Sequence, residues 1–226
     1  MTLHLYPDLE QGTEEWHAIR RGIVTASTIG RLITTRTLKP ASNDTSRALT
    51  EQLVAERITG WTDPVWVSDD MLRGQMDEPI ARDLYAEHFA PVEELGFMVR
   101  EEDGYRIGYS PDGLVGDDGL IEIKSRRPKK HLATILADQV PAENMAQIQT
   151  GLFVSGRDWC DYISFSGGMP LWVKRVHPDP KWADAITATA KAFEENADQM
   201  VAAYETATAG LPLTERTDHF AEMEIV

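Results

Sequence analysis

The seven residues Gly119 to Ser125, GLIEIKS, constrain this chain more than any other stretch. The run is short, rich in isoleucine and bounded by turn residues, which is the pattern of a strand. Side chains alternate along a strand, so Glu122 and Lys124 share one face and Ile121 and Ile123 the other. The isoleucines can enter a core while the charged pair faces a cleft. Asp112 precedes Glu122 by ten residues, across the turn sequence GDDG. A three-residue loop centred on Asp117 sets Asp112 directly opposite Glu122, and a two-residue loop flips it to the other face.

Two carboxylates that face each other repel unless a cation lies between them. A hard divalent ion answers this, because Mg²⁺ takes oxygen ligands and keeps several waters. Lys124 beside them could orient or deprotonate a water for attack on a phosphodiester. The bland alternative is a surface hairpin rich in acids, with a Lys–Glu pair on its edge.

The rest of the chain reads as one α/β domain over residues 1–226, with a small mixed central sheet flanked by helices. GTEEWHAIRRG reads as a short helix closed by Gly22. VTASTIGRLI suggests a second helix, with Thr25 or Ser27 near its N-terminus. TTRTLKPASNDTS reads as a loop. SRALTEQLVAERITG has helical spacing and ends at Gly60. DDMLRGQMDEPIARDLYAEHF continues helical, with Pro79 in a tolerant first turn and Glu78 just before it. LGFMVREEDGYRIGYS gives strands with tight turns, AENMAQIQTGLFVSG a helix, and WCDYISFS and LWVKRV two more strands. A long amphipathic helix is expected from about 180 to 208.

The 226 residues can bury a sizeable core. A single cysteine suits a reducing compartment. No apolar window is long enough to span a membrane, and MTLHLYPDLEQG lacks the pattern of a secretion signal. A soluble cytoplasmic protein of a bacterial cell is therefore expected, with no membrane partner. The net charge of −15 speaks against nucleic acid as a bulk property, but charge is unevenly spread. From Leu120 to His131 there are five Lys/Arg against one Glu, and from Lys181 onward nine Asp/Glu against three Lys/Arg. A basic groove or a solvated basic loop fits this equally.

Ser110-Pro111-Asp112-Gly113 followed by Glu122-Ile123-Lys124 resembles the PD-(D/E)XK nuclease signature. More specifically, it resembles the phage lambda-type exonuclease family of viral recombination nucleases, the YqaJ group. EEWHAIRRGIVTAS resembles the family's N-terminal block, GQMDEPIARDLY the block with an upstream acid, and MAQIQ its glutamine motif. The resemblance implies that Glu78, Asp112 and Glu122 are carboxylate metal ligands, joined by the backbone carbonyl of Ile123. It implies that Lys124 is the catalytic lysine and that Gln147 belongs to the active-site rim. Arg20, Ser27 and Ser110 would hold a substrate 5′-phosphate. Arg36, Lys39 and Arg47 lie where the family reaches over the duplex. Met71 is a candidate for the apolar wedge that separates the terminal base pair, with Leu72 expected in the core.

His17 is expected to pack beside Trp16, His131 to belong to the basic stretch, and Cys160 to be a buried strand residue. The implied activity is a Mg²⁺-dependent 5′→3′ exonuclease on linear double-stranded DNA ends. Mn²⁺ is expected to substitute. The implied products are mononucleotides and 3′ single-stranded tails. A ring-shaped homotrimer and a single-strand annealing recombinase partner follow from the same resemblance, as does a phage or prophage origin. Two other readings stand beside it: an endonuclease of the same superfamily, and a non-catalytic DNA-binding module on a nuclease fold.

Overall fold

The computed structural model describes residues 1–64, 67–102 and 104–216. Asp103, in one expected turn, and the last ten residues of the expected domain lie outside these. The elements run in the order β1 (Thr2–Tyr6), α1 (Glu14–Arg20), β2 (Val24–Thr25), a 3₁₀ turn (Ile29–Arg31), β3 (Ile33–Thr34), β4 (Lys39–Pro40), α2 (Asp44–Thr59), α3 (Asp69–His88), β5 (Phe97–Glu102), β6 (Tyr105–Tyr109), β7 (Gly113–Val115), β8 (Gly119–Ser125), α4 (Pro128–Ala137), α5 (Ala142–Ser155), β9 (Trp159–Phe165), β10 (Trp172–Val176) and α6 (Pro180–Thr208).

The strands form two mixed four-stranded sheets, ordered β1-β5-β6-β2 and β10-β9-β8-β7, and one two-stranded ribbon, β3-β4. One apolar cluster unites the inner faces of both sheets. Tyr109 and Ile107 of the first sheet and Leu120 and Tyr162 of the second pack there with Ile148 and Leu152 of α5, Phe193 of α6 and Leu53 of α2. The outer face of the second sheet carries Ile121, Ile123 and Ile163, covered by Ala81 and Tyr85 of α3. A smaller cluster of Ile23, Phe97 and Val99 backs the first sheet. The chain crosses from the first sheet to the second between Tyr109 and Gly113, and the candidate site lies at that crossing.

Two buried tethers fix the layers. Tyr85 Oη donates to Asp161 Oδ2 at 2.7 Å, and Arg175 clamps the same carboxylate through two nitrogens. Arg57 of α2 does the same to Glu194 of α6 and also donates to the carbonyl of Gly22 at 2.6 Å.

Several expectations are corrected. Residues 24–33 are not a helix. Val24 and Thr25 pair in parallel with Ile107 and Gly108, and only a three-residue 3₁₀ turn follows. Ser27 therefore has no helix dipole behind it. The expected loop after it contains the β3-β4 ribbon, with Ile33 opposite Pro40. Pro79 lies in the middle of α3, so Gln75 loses one i→i−4 partner there. Glu78 is accordingly a mid-helix residue. His131 is fully buried: its ring nitrogens contact Ser164 Oγ at 2.8 Å and the Pro170 carbonyl at 3.0 Å. Leu72 is 51% exposed and is not in the core.

Candidate active site

The β7-β8 hairpin is built as its sequence requires. Gly113 pairs with Ile121, Leu114 with Leu120 and Val115 with Gly119, leaving Gly116, Asp117 and Asp118 as the loop. Gly116 takes a φ of +53°, which a side chain at that position would disfavour. Continued one step, this register faces Asp112 with Glu122. Asp112 Oδ2 accepts the backbone N–H of Ile123 at 2.6 Å. The N–H and C=O of one strand residue point to the same edge. The Ile123 carbonyl is thus directed to the Asp112 side, just past the end of the β7 pairing.

Glu122 is completely buried, and neither carboxylate oxygen has a hydrogen-bond donor. The Lys124 ammonium stands 2.5 Å from Glu122 Oε1, close enough for an ion pair, without the alignment of a hydrogen bond. Burial pushes the Glu122 carboxyl up to about 7, against the pull of Lys124 and with added repulsion from Asp112 and Glu78. Asp112 is raised by the same burial, which outweighs Lys124 and the Ile123 N–H. Burial acts to lower Lys124, but Glu122 and Asp112 overcome it and hold the ammonium above its ordinary value. The group is a firmly protonated lysine that is still 29% exposed.

Glu78 also rises to about 7, from burial first and Asp112 second. Its carboxylate is held by Arg82, 2.5 Å away, and Arg82 Nε donates to the Asp112 carbonyl at 2.8 Å. Among the described residues, no three His, Cys, Asp or Glu side chains converge as a ready metal cage. Glu122, the free oxygen of Asp112 and the Ile123 carbonyl nonetheless offer an all-oxygen set, which suits Mg²⁺ or Mn²⁺. The buried Oε2 of Glu122, which no donor among the described residues reaches, is the feature that a second cation would satisfy.

A cavity of about 160 Å³ adjoins these acids. Arg20, Ser27, Glu78, Ser110, Asp112 and Gln147 all line it, although they come from five separate stretches of chain. Arg20 lies over the Trp16 ring at 3.9 Å and the Phe97 ring at 5.2 Å. Burial lowers it to about 10, partly offset by Glu56, so it stays charged at neutral pH. None of the hydrogen bonds or ion pairs among the described residues engages its guanidinium. Ser110 faces the cavity, but its hydroxyl donates to the Gly96 carbonyl at 2.7 Å. Ser27 Oγ shares a hydrogen bond with Thr25 Oγ1 at 3.1 Å. Gln147 faces the cavity while Gln149, two residues on, bonds the His177 carbonyl and the Asp179 N–H.

Arg36, in the β3-β4 turn, and Met71, in the first turn of α3, are exposed and lie outside this cavity. His17 packs edge-on to Trp16 at 5.0 Å, and Cys160 is a fully buried strand residue, both as expected. Sequence reasoning missed Arg82, Trp16 and Tyr109 as parts of the site. Arg82 carried a signal: it stands four residues after Glu78, one helical turn away.

The YqaJ-like viral recombinase domain matches residues 15–158. No curated protein matches the chain. Among solved structures, the alkaline exonuclease LHK-Exo from Laribacter hongkongensis is similar at 31% identity, with a TM-score of 0.78 over 88% of this chain and 100% of that one. LHK-Exo is also known in complex with dAMP, with the same agreement. A phage-related exonuclease from Haemophilus somnus 129PT shares the fold at 15% identity, with a TM-score of 0.63 over 80% of this chain and 96% of that one.

Proposed function

This chain belongs to the YqaJ-like viral recombinase family and is an exonuclease of that family, and from that premise we propose that it degrades one strand of linear duplex DNA from 5′-phosphorylated ends, in the 5′→3′ direction, with a divalent cation. The observation that carries this reading is the fully buried Glu122 carboxylate facing Asp112, ion-paired through Oε1 to the Lys124 ammonium 2.5 Å away and with no donor at Oε2. Beside it lies a cavity containing an unpaired arginine. The first arrangement suits phosphodiester hydrolysis, and the second suits a terminal phosphate.

Glu122, Asp112 and the Ile123 carbonyl would hold Mg²⁺, or Mn²⁺ in its place. Glu78 would join them by giving up its pairing with Arg82. The cation, when bound, supplies positive charge beside the scissile phosphate and eases deprotonation of the attacking water. Lys124 donates from Nζ to that water or to a phosphate oxygen, fixing its approach. The P–O3′ bond breaks, a 5′-mononucleotide leaves, and the shortened strand again ends in a 5′-phosphate. Arg20 supplies a fork matched to that phosphate, with Ser27 beside it. Holding the end determines which bond meets the acids, so binding becomes positioning. Gln147 completes the wall of the same cavity. Met71 and Arg36 are proposed to meet the duplex outside it. The 3′ tails left behind suit a single-strand annealing recombinase, and a homotrimeric ring would retain DNA that an acidic subunit does not hold by bulk charge. The dAMP bound to LHK-Exo is consistent with a mononucleotide product.

The test uses three substrates of one sequence: linear duplex with 5′-phosphate, linear duplex with 5′-hydroxyl, and a covalently closed circle. In Mg²⁺ the phosphorylated linear form should disappear fastest and the circle should remain intact. Chelator should stop all loss. A nicked circle would convert the reading to an endonuclease. Lys124→Ala should reduce hydrolysis by about 10³-fold or more while DNA binding in chelator persists. Undiminished hydrolysis would remove the lysine's role.

A further inference from the structure

The β7-β8 hairpin, which sets Asp112 against Glu122, has little grip of its own. Three residue pairs join its strands, and two of them contain a glycine, Gly113 with Ile121 and Val115 with Gly119. Glycine-rich strands specify their register weakly. Among the described residues, the other edge of β7 is held at one bridge, Leu114 with Glu93. The choice of a three-residue loop therefore needs support from outside the ladder.

Arg157 supplies it. It follows Gly156, which caps α5 with a φ of +70°, and its side chain reaches over the hairpin. One nitrogen, Nη1, donates to the Gly116 carbonyl at 2.8 Å and to the Gly119 carbonyl at 2.7 Å, with the Val115 carbonyl at 3.5 Å. Gly116 opens the loop and Gly119 begins β8, so the guanidinium spans the loop mouth. The next two residues extend the grip. The N–H groups of Asp158 and Trp159 both donate to the Asp118 carbonyl, at 2.8 and 3.3 Å. Trp159 also pairs with Gly119 in the β8-β9 register, and its ring lies 2.2 Å from where a Cβ on Gly119 would stand. A one-residue slip moves one strand about 3.3 Å along the other. Two hydrogen bonds ending on one nitrogen do not survive such a step. Arg157 therefore opposes every register but the observed one. It touches neither acid: Asp112 and Glu122 lie three ladder steps beyond Val115 and Gly119.

We infer that Arg157 is a positioning residue for hydrolysis: by stapling the loop it holds the register in which Asp112 and Glu122 present their oxygens to one cation. The inference rests on the reading above that these two acids share a cation.

Arg157→Met keeps most of the stem and removes the donors. Mn²⁺ affinity without DNA, read from the free-ion electron paramagnetic resonance signal, reports on the acids independently of hydrolysis. It should weaken about 10–100-fold. At saturating Mn²⁺ kcat should fall as well, while KM for linear duplex stays at the wild-type value. Arg157→Ala should show the same losses, and guanidinium ion at sub-denaturing concentration should restore part of the Mn²⁺ affinity, which a merely structural loss would not allow. Thermal melts in chelator verify that the variants fold. Wild-type Mn²⁺ affinity in the folded methionine variant overturns the inference, whatever its kcat. Should that variant not fold, Arg157→Lys carries the test. Its Nζ ends one bond short of Nη1, so an intermediate loss of Mn²⁺ affinity is expected, and the wild-type value overturns the inference. Wild-type protein that binds no Mn²⁺ would instead overturn the reading of the acids as a cation site, a result distinct from either.

Discussion

At the scale of single residues, the site stores electrostatic conflict. Glu122 and Glu78 are both raised to about 7, and Asp112 is raised as well, all chiefly by burial. A folded-state carboxyl raised above its unfolded value stabilises the fold fully below the unfolded value, and that stability is lost as pH rises through the folded one. The window here runs from about 4.5 to about 7 for both glutamates. Metal-free protein should therefore melt progressively lower between pH 5 and pH 8, by an amount on the order of 1–3 kcal/mol per fully buried carboxylate. Lys124 does not contribute to this slope, because it is held above its ordinary value and titrates beyond the window. Glu122→Gln should flatten the decline, and added Mn²⁺ at pH 8 should raise the wild-type melting temperature but not that of the variant. A flat wild-type profile in calorimetry would contradict the burial argument.

At the scale of elements, the hairpin carries the chemistry because its register is set by an odd-numbered loop. Inserting one glycine after Asp117 should flip Asp112 to the opposite face of the sheet relative to Glu122. Hydrolysis should fall below detection while circular dichroism still reports a folded α/β protein; retained activity would show that the register is not what joins the two acids. The sequence left this register open between a two- and a three-residue loop, and the observed pairing of Val115 with Gly119 decides for the longer one; the strand itself was legible, because period-two alternation is a local property of the chain. α2 and α6 were legible as well, since their apolar spacing and Gly60 or Pro180 boundaries appear in sequence. β1 and β2 were not legible. Each acquires its strand character from partners about a hundred or eighty residues away, Glu101 to Phe97 for β1 and Ile107 for β2. Two-residue strands have no pattern of their own, so the helix expected over residues 24–33 was a local guess overridden by a distant pairing. Pro79 misled for a related reason: α3 is held along its length by packing on β8 and by the Tyr85–Asp161 bond, which tolerates an interior proline. The helix α4 was missed although Pro128 at its first position was a start signal, because the basic run around it drew the reading toward charge.

At the scale of the whole molecule, the two sheets meet where acids, lysine and cavity meet, and no local stretch contains that junction. The resemblance in sequence supplied what periodicity could not, by naming positions from five segments that the fold then gathers around one cavity. Arg36 and Met71, drawn from the same resemblance, stay outside it and belong to whatever surface the duplex covers. Leu72, Met76 and Ile80 are spaced four apart on α3 and all lie more than half exposed. Such a stripe is unusual on an isolated subunit and fits the proposed ring. Light scattering after size exclusion should give a mass near three times 25.3 kDa. A single-subunit mass at micromolar concentration would remove the ring from the account.

Gly22 ends the helix that carries Trp16 and Arg20, and both of its backbone groups are gripped from α2. Its N–H donates to Glu56 at 2.9 Å and its carbonyl accepts from Arg57 at 2.6 Å, while Arg57 is itself locked to Glu194. A strand end that pulls on Arg20 therefore pulls against a peptide anchored to α2 and, through Arg57, to α6. The amide of this one glycine is accordingly a remote strain gauge: its solvent exchange should slow when a phosphate is seated, reporting occupancy without any bond being cut.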